Sequence, residues 1–182
     1  VFLLHVGDNI YGGLEHRSST ALLADRHSLP RASDSSDAYI GLLGLFSHEY
    51  FHAWNVKSIK PQAFAQSDLN HEAYSEQLWA FEGITSYYDD LFLVRSGVIS
   101  TTQYLRLVAQ NLTRVQQSGG RHVQTLAEAS FNAWTKYYKQ NENSPNALVS
   151  YYQQGALMAL CLDSHIRQHS SGCHSLDTII QA

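Results

Sequence analysis

Charge is scarce in this chain. Only 15% of its 182 residues are charged, and 12 basic residues against 16 acidic ones leave a net charge of −4. No block of Lys or Arg occurs, which argues against a nucleic-acid partner. Cysteine is nearly absent: Cys161 and Cys173 are the two, and neither lies in a CxxC pair, so a disulfide framework is excluded. Long apolar runs are missing too. The longest, residues 155–162 and 40–46, are too short to span a bilayer. No signal-peptide pattern is present. The chain opens on the apolar VFLLHV and stops inside the amphipathic SLDTIIQA, so the expectation is one domain, residues 1–182, cut from a longer protein.

What is present is an ordinary globular share of hydrophobic residues, 44%, together with eleven tyrosines and ten histidines. That is enough for one domain with a substantial core. Residues 1–6 read as a short strand, 7–13 as a glycine-rich turn and 14–25 as a second strand. Residues 26–37 read as a loop. Helices are expected at about 37–55, 72–96, 101–117 and 150–169, with a short one over 125–134 and a loop over 141–146. Ser36 or Asp37 can cap the first helix. Gly97 reads as a C-terminal stop, and Ser100-x-x-Gln103 as a capping box. Strands first and helices after predict an α+β, mainly helical fold with a short N-terminal β edge.

The chain is organised around HEYFH, residues 48–52. On a helix, His48 and His52 lie one turn apart on one face. Two neutral imidazoles so placed can ligate one Zn²⁺ at about 2.0–2.1 Å. Glu49 projects beside them and can reach a metal-bound water without ligating the metal. The other reading is a buried helix with two satisfied histidines.

A catalytic zinc takes three protein ligands and leaves a position open. After His52 the candidates are His71, Glu72, Glu76, Glu82, Asp89 and Asp90. Glu82 is favoured. It stands in the apolar LWAFEGITSYY, where an unpaired carboxylate needs a cation or a strong donor. Gly83 would let another backbone come close. Glu72 and Glu76 fall near the helix start, where the dipole already accounts for them. Glu82 as a plain surface carboxylate is the alternative. Asp89 and Asp90 are either acceptors for a ligand imidazole or a solvated helix face.

HEYFHAWNVKSIKP followed by LWAFEGITSYYDD resembles the glycyl aminopeptidase family of gluzincin metallopeptidases. GGLEHRSSTALL upstream and YYQQGALMAL downstream extend the resemblance over nearly the whole chain. It implies a thermolysin-like gluzincin catalytic domain holding one Zn²⁺ through His48, His52 and Glu82. It implies an aminopeptidase acting on peptides with a free N-terminus, with a preference for small first residues such as Gly or Ala. Glu49 would be the general base. Gly12 and Gly13 would hold the substrate through their backbone, and Glu15 would pair with its α-ammonium. Tyr152, or Tyr151 beside it, would donate to the oxyanion. His16 stands where the related alanyl type has Asn, and Gln154 replaces the usual basic residue. Asn55 and Lys57 follow the motif closely without a chemistry to assign. The family commonly carries an N-terminal β-rich domain and a C-terminal PDZ domain, neither of which is in this sequence. Two other functions are compatible with the residues: a zinc endopeptidase of the same fold, and a non-catalytic module with a vestigial or structural metal site.

Overall fold

A three-stranded sheet opens the chain, and helices make up most of the remainder. In a computed structural model residues 1–31, 36–68 and 70–181 are described. The elements are β1 (Phe2–Gly7), β2 (Gly12–Glu15), β3 (Thr20–Asp25), α1 (Asp37–Phe51), α2 (Gln62–Ala65), α3 (Leu78–Arg95), α4 (Thr101–Gln117), α5 (Leu126–Phe131), α6 (Ser144–Ala147), α7 (Tyr151–His169) and α8 (Leu176–Ile180). The fold is therefore α+β and mainly helical. Two units can be separated: residues 1–61 with 88–107, and residues 62–87 with 108–182.

In the first unit β3 is the central strand, parallel to β1 and antiparallel to β2. Thr20, Leu22 and Ala24 are buried while Ala21 and Leu23 face outward, the period of two that a half-covered strand requires. The covering element is α1, which contacts β2 and β3. Its start is capped by Ser36, whose hydroxyl accepts from the Tyr39 N–H at 3.2 Å. Phe51, at its other end, stacks on Tyr88 at 4.8 Å. Ile40 packs with Leu93 and Ile99 in a buried cluster. Gly97 adopts φ +76°, the left-handed turn expected after α3. Ser100 and Gln103 form the capping box: the Ser100 N–H donates to Gln103 Oε1 at 2.8 Å, and the Gln103 N–H donates to Ser100 Oγ at 3.2 Å.

In the second unit α3 and α7 meet at two glycines. A Cβ on Gly83 would stand 2.5 Å from the backbone of Gly155, and one on Gly155 would stand 2.6 Å from the Trp79 carbonyl oxygen. The close approach expected at Gly83 is thus present, and its partner belongs to the YYQQG block. Ala129, Ala133, Val149 and Tyr151 form the core of this unit, with Trp79 and Tyr137 packed against it.

Several boundaries differ from the sequence reading. The strand expected over 14–25 is two strands, because the polar His16–Ser19 run folds as a turn closed by His16 N–H to Ser19 O at 2.8 Å. The helix expected to 55 ends at Phe51, and its chain continues in turns. The helix expected from 72 begins at Leu78, where the buried Ser75 accepts from the Gln77 N–H. The short helix over 125–134 is α5 followed by a π turn, Ala133–Tyr137. The loop over 141–146 holds the single turn α6. The loop over 26–37 and the last residue, 182, lie partly or wholly outside the described residues.

One buried carboxylate in the second unit escaped the sequence reading. Asp163 accepts from Tyr87 OH at 2.7 Å, Arg167 Nε at 2.9 Å and the Leu176 N–H at 2.7 Å, tying α3, α7 and α8 together. Burial alone would raise its pKa. The Leu176 N–H, then Tyr87 and Arg167, outweigh that and hold it below the ordinary carboxylate range. A lowered folded-state pKa means stability that is present above the unfolded value of about 3.9 and lost as pH falls through the folded one. Asp163→Asn is expected to lower stability by about 2–4 kcal/mol at neutral pH. It should also flatten the loss of stability on acidification, read as thermal midpoint against pH. An unchanged midpoint at pH 7 would refute this.

Candidate active site

The site in the first unit is built on the C-terminal turn of α1. His48 and His52 lie on one face with ring centroids 4.8 Å apart and planes nearly perpendicular. Each ring is fixed by its outer nitrogen. His48 Nδ1 is 3.0 Å from Asp89 Oδ2 on α3. His52 Nδ1 is 2.8 Å from the Asn55 carbonyl oxygen. A carbonyl oxygen only accepts, so His52 carries its proton on Nδ1. With Asp89 ionised, His48 does the same. Both Nε2 atoms then present lone pairs, and they stand 3.2 Å apart.

Two facing lone pairs repel unless a cation or a proton lies between them. A tetrahedral ion bonded at about 2.0–2.1 Å separates its ligand atoms by about 3.3 Å. The imidazole pair therefore fits a metal, with tautomers already set by its outer hydrogen-bond partners. Burial pushes the Asp89 carboxyl up, and the His48 hydrogen bond opposes this. A cation on the imidazoles favours the ionised form. Asp90 is pushed up to about 7, first by burial and then by the neighbouring Asp89 carboxylate. Of this acidic pair, Asp89 is the one that meets the imidazole.

Glu49 is buried beside the histidines, at 7% exposure. It lies directly against β2: a Cβ on Gly13 would overlap its carboxyl group. Glycine at position 13 thus makes room for the Glu49 carboxylate. Glu15, two residues on, shares that face of the strand. Its Oε1 is 2.9 Å from Lys57 Nζ. β2 is one of the two outer strands of the sheet, paired with β3 along one edge. Gly12, opposite Leu23 in that pairing, begins it. His16 is exposed in the turn after this strand.

Asn55 and Lys57 are the residues sequence reasoning left without a role. Turns after α1 bring the Lys57 N–H to the His52 carbonyl at 2.9 Å and bury Asn55. One orients a histidine through its backbone, and the other neutralises Glu15. The nearness of both to HEYFH was the available signal. The bonds themselves depend on where the helix ends.

In the second unit Glu82 precedes the Gly83–Gly155 contact by one residue, and Tyr152 precedes Gly155 by three. Burial, and next the charge of Glu82, push the Tyr152 phenol up, so it remains a protonated donor at neutral pH. Tyr151 is fully buried, and burial likewise pushes its phenol up. Tyr152 is half-buried, which suits it better for meeting a substrate.

Within the first unit, Glu15, Glu49 and His52 also offer three ligand atoms for one ion. There Glu15 already holds the Lys57 ammonium, so that carboxylate has its cation.

The sequence profile of the M61 glycyl aminopeptidase family matches residues 41–158. No curated protein matches. Among solved structures, an aminopeptidase N family protein from Idiomarina loihiensis is similar over 98% of this chain, with 49% identity and a TM-score of 0.94. This chain spans 31% of that protein's length. The profile match takes in HEYFH, LWAFEG and YYQQG, well over half of the chain. With the profile matched over residues 41–158 and a solved structure similar at 49% identity over 98% of its residues, the chain belongs to the M61 glycyl aminopeptidase family.

Proposed function

We propose that this chain is the catalytic domain, residues 1–182, of a zinc-dependent aminopeptidase with a thermolysin-like gluzincin fold. It would remove small first residues such as Gly or Ala from peptides with a free N-terminus. In this reading His48, His52 and Glu82 hold one Zn²⁺, and further domains flank the chain in the full-length protein. The convergence of two Nε2 lone pairs at 3.2 Å, with both outer nitrogens engaged, is the observation that carries it.

A zinc ion bound there would supply Lewis acidity towards the peptide carbonyl and acidify water. The remaining work falls to the chain's own groups. Gly12 and Gly13, on an outer strand, offer backbone N–H and C=O groups to an extended peptide. Glu15 pairs with the substrate's α-ammonium, which exchanges with Lys57 at that carboxylate. Glu49 takes a proton from the attacking water and passes it to the leaving amine. Tyr152 donates a hydrogen bond to the carbonyl oxygen as negative charge builds on it.

The Glu15–Lys57 pair also favours a second reading. A carboxylate neutralised within the chain does not require a substrate ammonium, which would suit an endopeptidase. Matched peptides with free and N-acetylated termini decide between them, assayed on the full-length zinc-loaded protein. Acetylation is expected to lower kcat/KM at least about 100-fold, because it removes the charge that Glu15 pairs with. An unchanged rate would remove the aminopeptidase reading. Metal analysis and zinc reconstitution of the same preparation test the metal requirement separately from substrate choice.

A further inference from the structure

Glu15, the carboxylate given above to the substrate's α-ammonium, already faces an ammonium from its own chain. Lys57 Nζ stands 2.9 Å from Glu15 Oε1, and the two side chains are only 29% and 21% exposed. Glu15 also has a second carboxylate close by. Ligand atoms of Glu15, Glu49 and His52 all lie within 4.8 Å of one another. Two carboxylates that near oppose each other's ionisation, and a cation beside them offsets the repulsion. Lys57 supplies that cation while no substrate is bound.

The turns after α1 fix the place from which the lysine reaches. Its N–H donates to the His52 carbonyl at 2.9 Å, five residues back. The next two N–H groups, of Ser58 and Ile59, both donate to the Trp54 carbonyl, at 3.2 and 2.8 Å. Ser58 Oγ donates to the Ala53 carbonyl at 2.9 Å. The root of the lysine stem is thus held by main-chain bonds, which lessens the ordering cost that usually weakens an ion pair.

An ammonium arriving with a substrate meets the charge of Lys57. At Oε1 it must displace the lysine. At Oε2 it stands across one carboxylate from a like charge, which opposes it. A blocked terminus brings no charge and leaves the Glu15–Lys57 pair intact. Lys57 therefore subtracts from the affinity of free termini and takes nothing from blocked ones.

We infer that Lys57 is a specificity-determining residue: its ammonium competes with the substrate's own at Glu15 and narrows the preference for free N-termini. The inference rests on Glu15 being the amine site. Lys57→Met keeps the stem and the backbone bond to His52, so it should fold with a thermal midpoint close to that of the wild type.

The test compares matched free and N-acetylated peptides on the full-length zinc-loaded protein. For the free peptide, Lys57→Met should lower KM about three- to tenfold, the range of a partly exposed, charge-assisted pair. Its kcat should stay within about twofold, because the lysine acts on binding alone. The acetylated peptide should gain nothing, so the ratio of the two kcat/KM values widens. Lys57→Arg keeps the charge and grips a carboxylate at least as well, so its KM should equal or exceed that of the wild type. An unchanged KM in Lys57→Met would overturn the inference, as would a Lys57→Arg protein that behaves like Lys57→Met. A raised KM in Lys57→Met would also overturn it, and would make the lysine a brace for Glu15. In each of these cases a wild type that still prefers free termini leaves Glu15 in its role. A wild type that turns over both peptides alike removes the amine site and the inference together.

Discussion

Glu49→Gln is expected to remove most hydrolysis, lowering kcat about 10²- to 10⁴-fold, with the metal still bound. The amide keeps the carboxylate's shape, so it fits the space that Gly13 leaves against β2. What it loses is the ability to take a proton from water, and general-base catalysis has about that size. The two imidazoles are fixed by Asp89 and Asn55, so the variant should retain one zinc per chain and its thermal midpoint. Substantial hydrolysis by a zinc-loaded Glu49→Gln protein would remove Glu49 as the base. Loss of zinc from it would instead move Glu49 among the ligands.

The second large effect is expected at Gly83, which has no chemistry of its own. A Cβ there would meet Gly155 backbone atoms at 2.5 Å and the Ala156 nitrogen at 3.1 Å. Backbone cannot swing aside as a flexible side chain can, so α3 and α7 must separate. Overpacking of this kind typically destabilises by about 1–3 kcal/mol. At about 2–4 °C per kcal/mol for a chain of this size, Gly83→Ala should lower the thermal midpoint by several degrees. It should also lower activity, because Glu82 adjoins Gly83 and Tyr152 lies one turn before Gly155. Gly41→Ala is the control. A Cβ at that helical position meets nothing within 4 Å, so this change should raise stability by about 0.5–1 kcal/mol. If Gly83→Ala melted and turned over like the wild type, the close helix contact would carry no weight in the site.

The parts that were legible beforehand are those written in local spacing. HEYFH announces its own geometry once it is helical. A glycine beside a carboxylate in an apolar segment announces a close approach, and Gly83 delivers one. Ser100-x-x-Gln103 caps as its pattern says. The parts that were not legible depend on where a helix stops or slips. Asn55 reaches His52 through a carbonyl that every residue type carries, so its identity gave no hint. Lys57 meets Glu15 across 42 positions of sequence. The apolar pattern of residues 125–134 reads the same with or without the π turn that follows α5. Asp163 and Arg167 stand four apart on α7, which suggests an ordinary surface pair. Burial and two further donors make it a tether between helices.

His48 and His52 are anchored by unlike groups. The grip on His48 is the Asp89 side chain, and a substitution there that removes the acceptor, such as Asp89→Ala, deletes it. The grip on His52 comes from main-chain oxygen at position 55, which survives every amino-acid exchange that leaves the turn folded. Sequence drift at these positions therefore weakens the two imidazoles unequally, with His48 the first to lose its orientation. The anchor of His52 thus lies beyond the reach of side-chain replacement at position 55, while that of His48 does not.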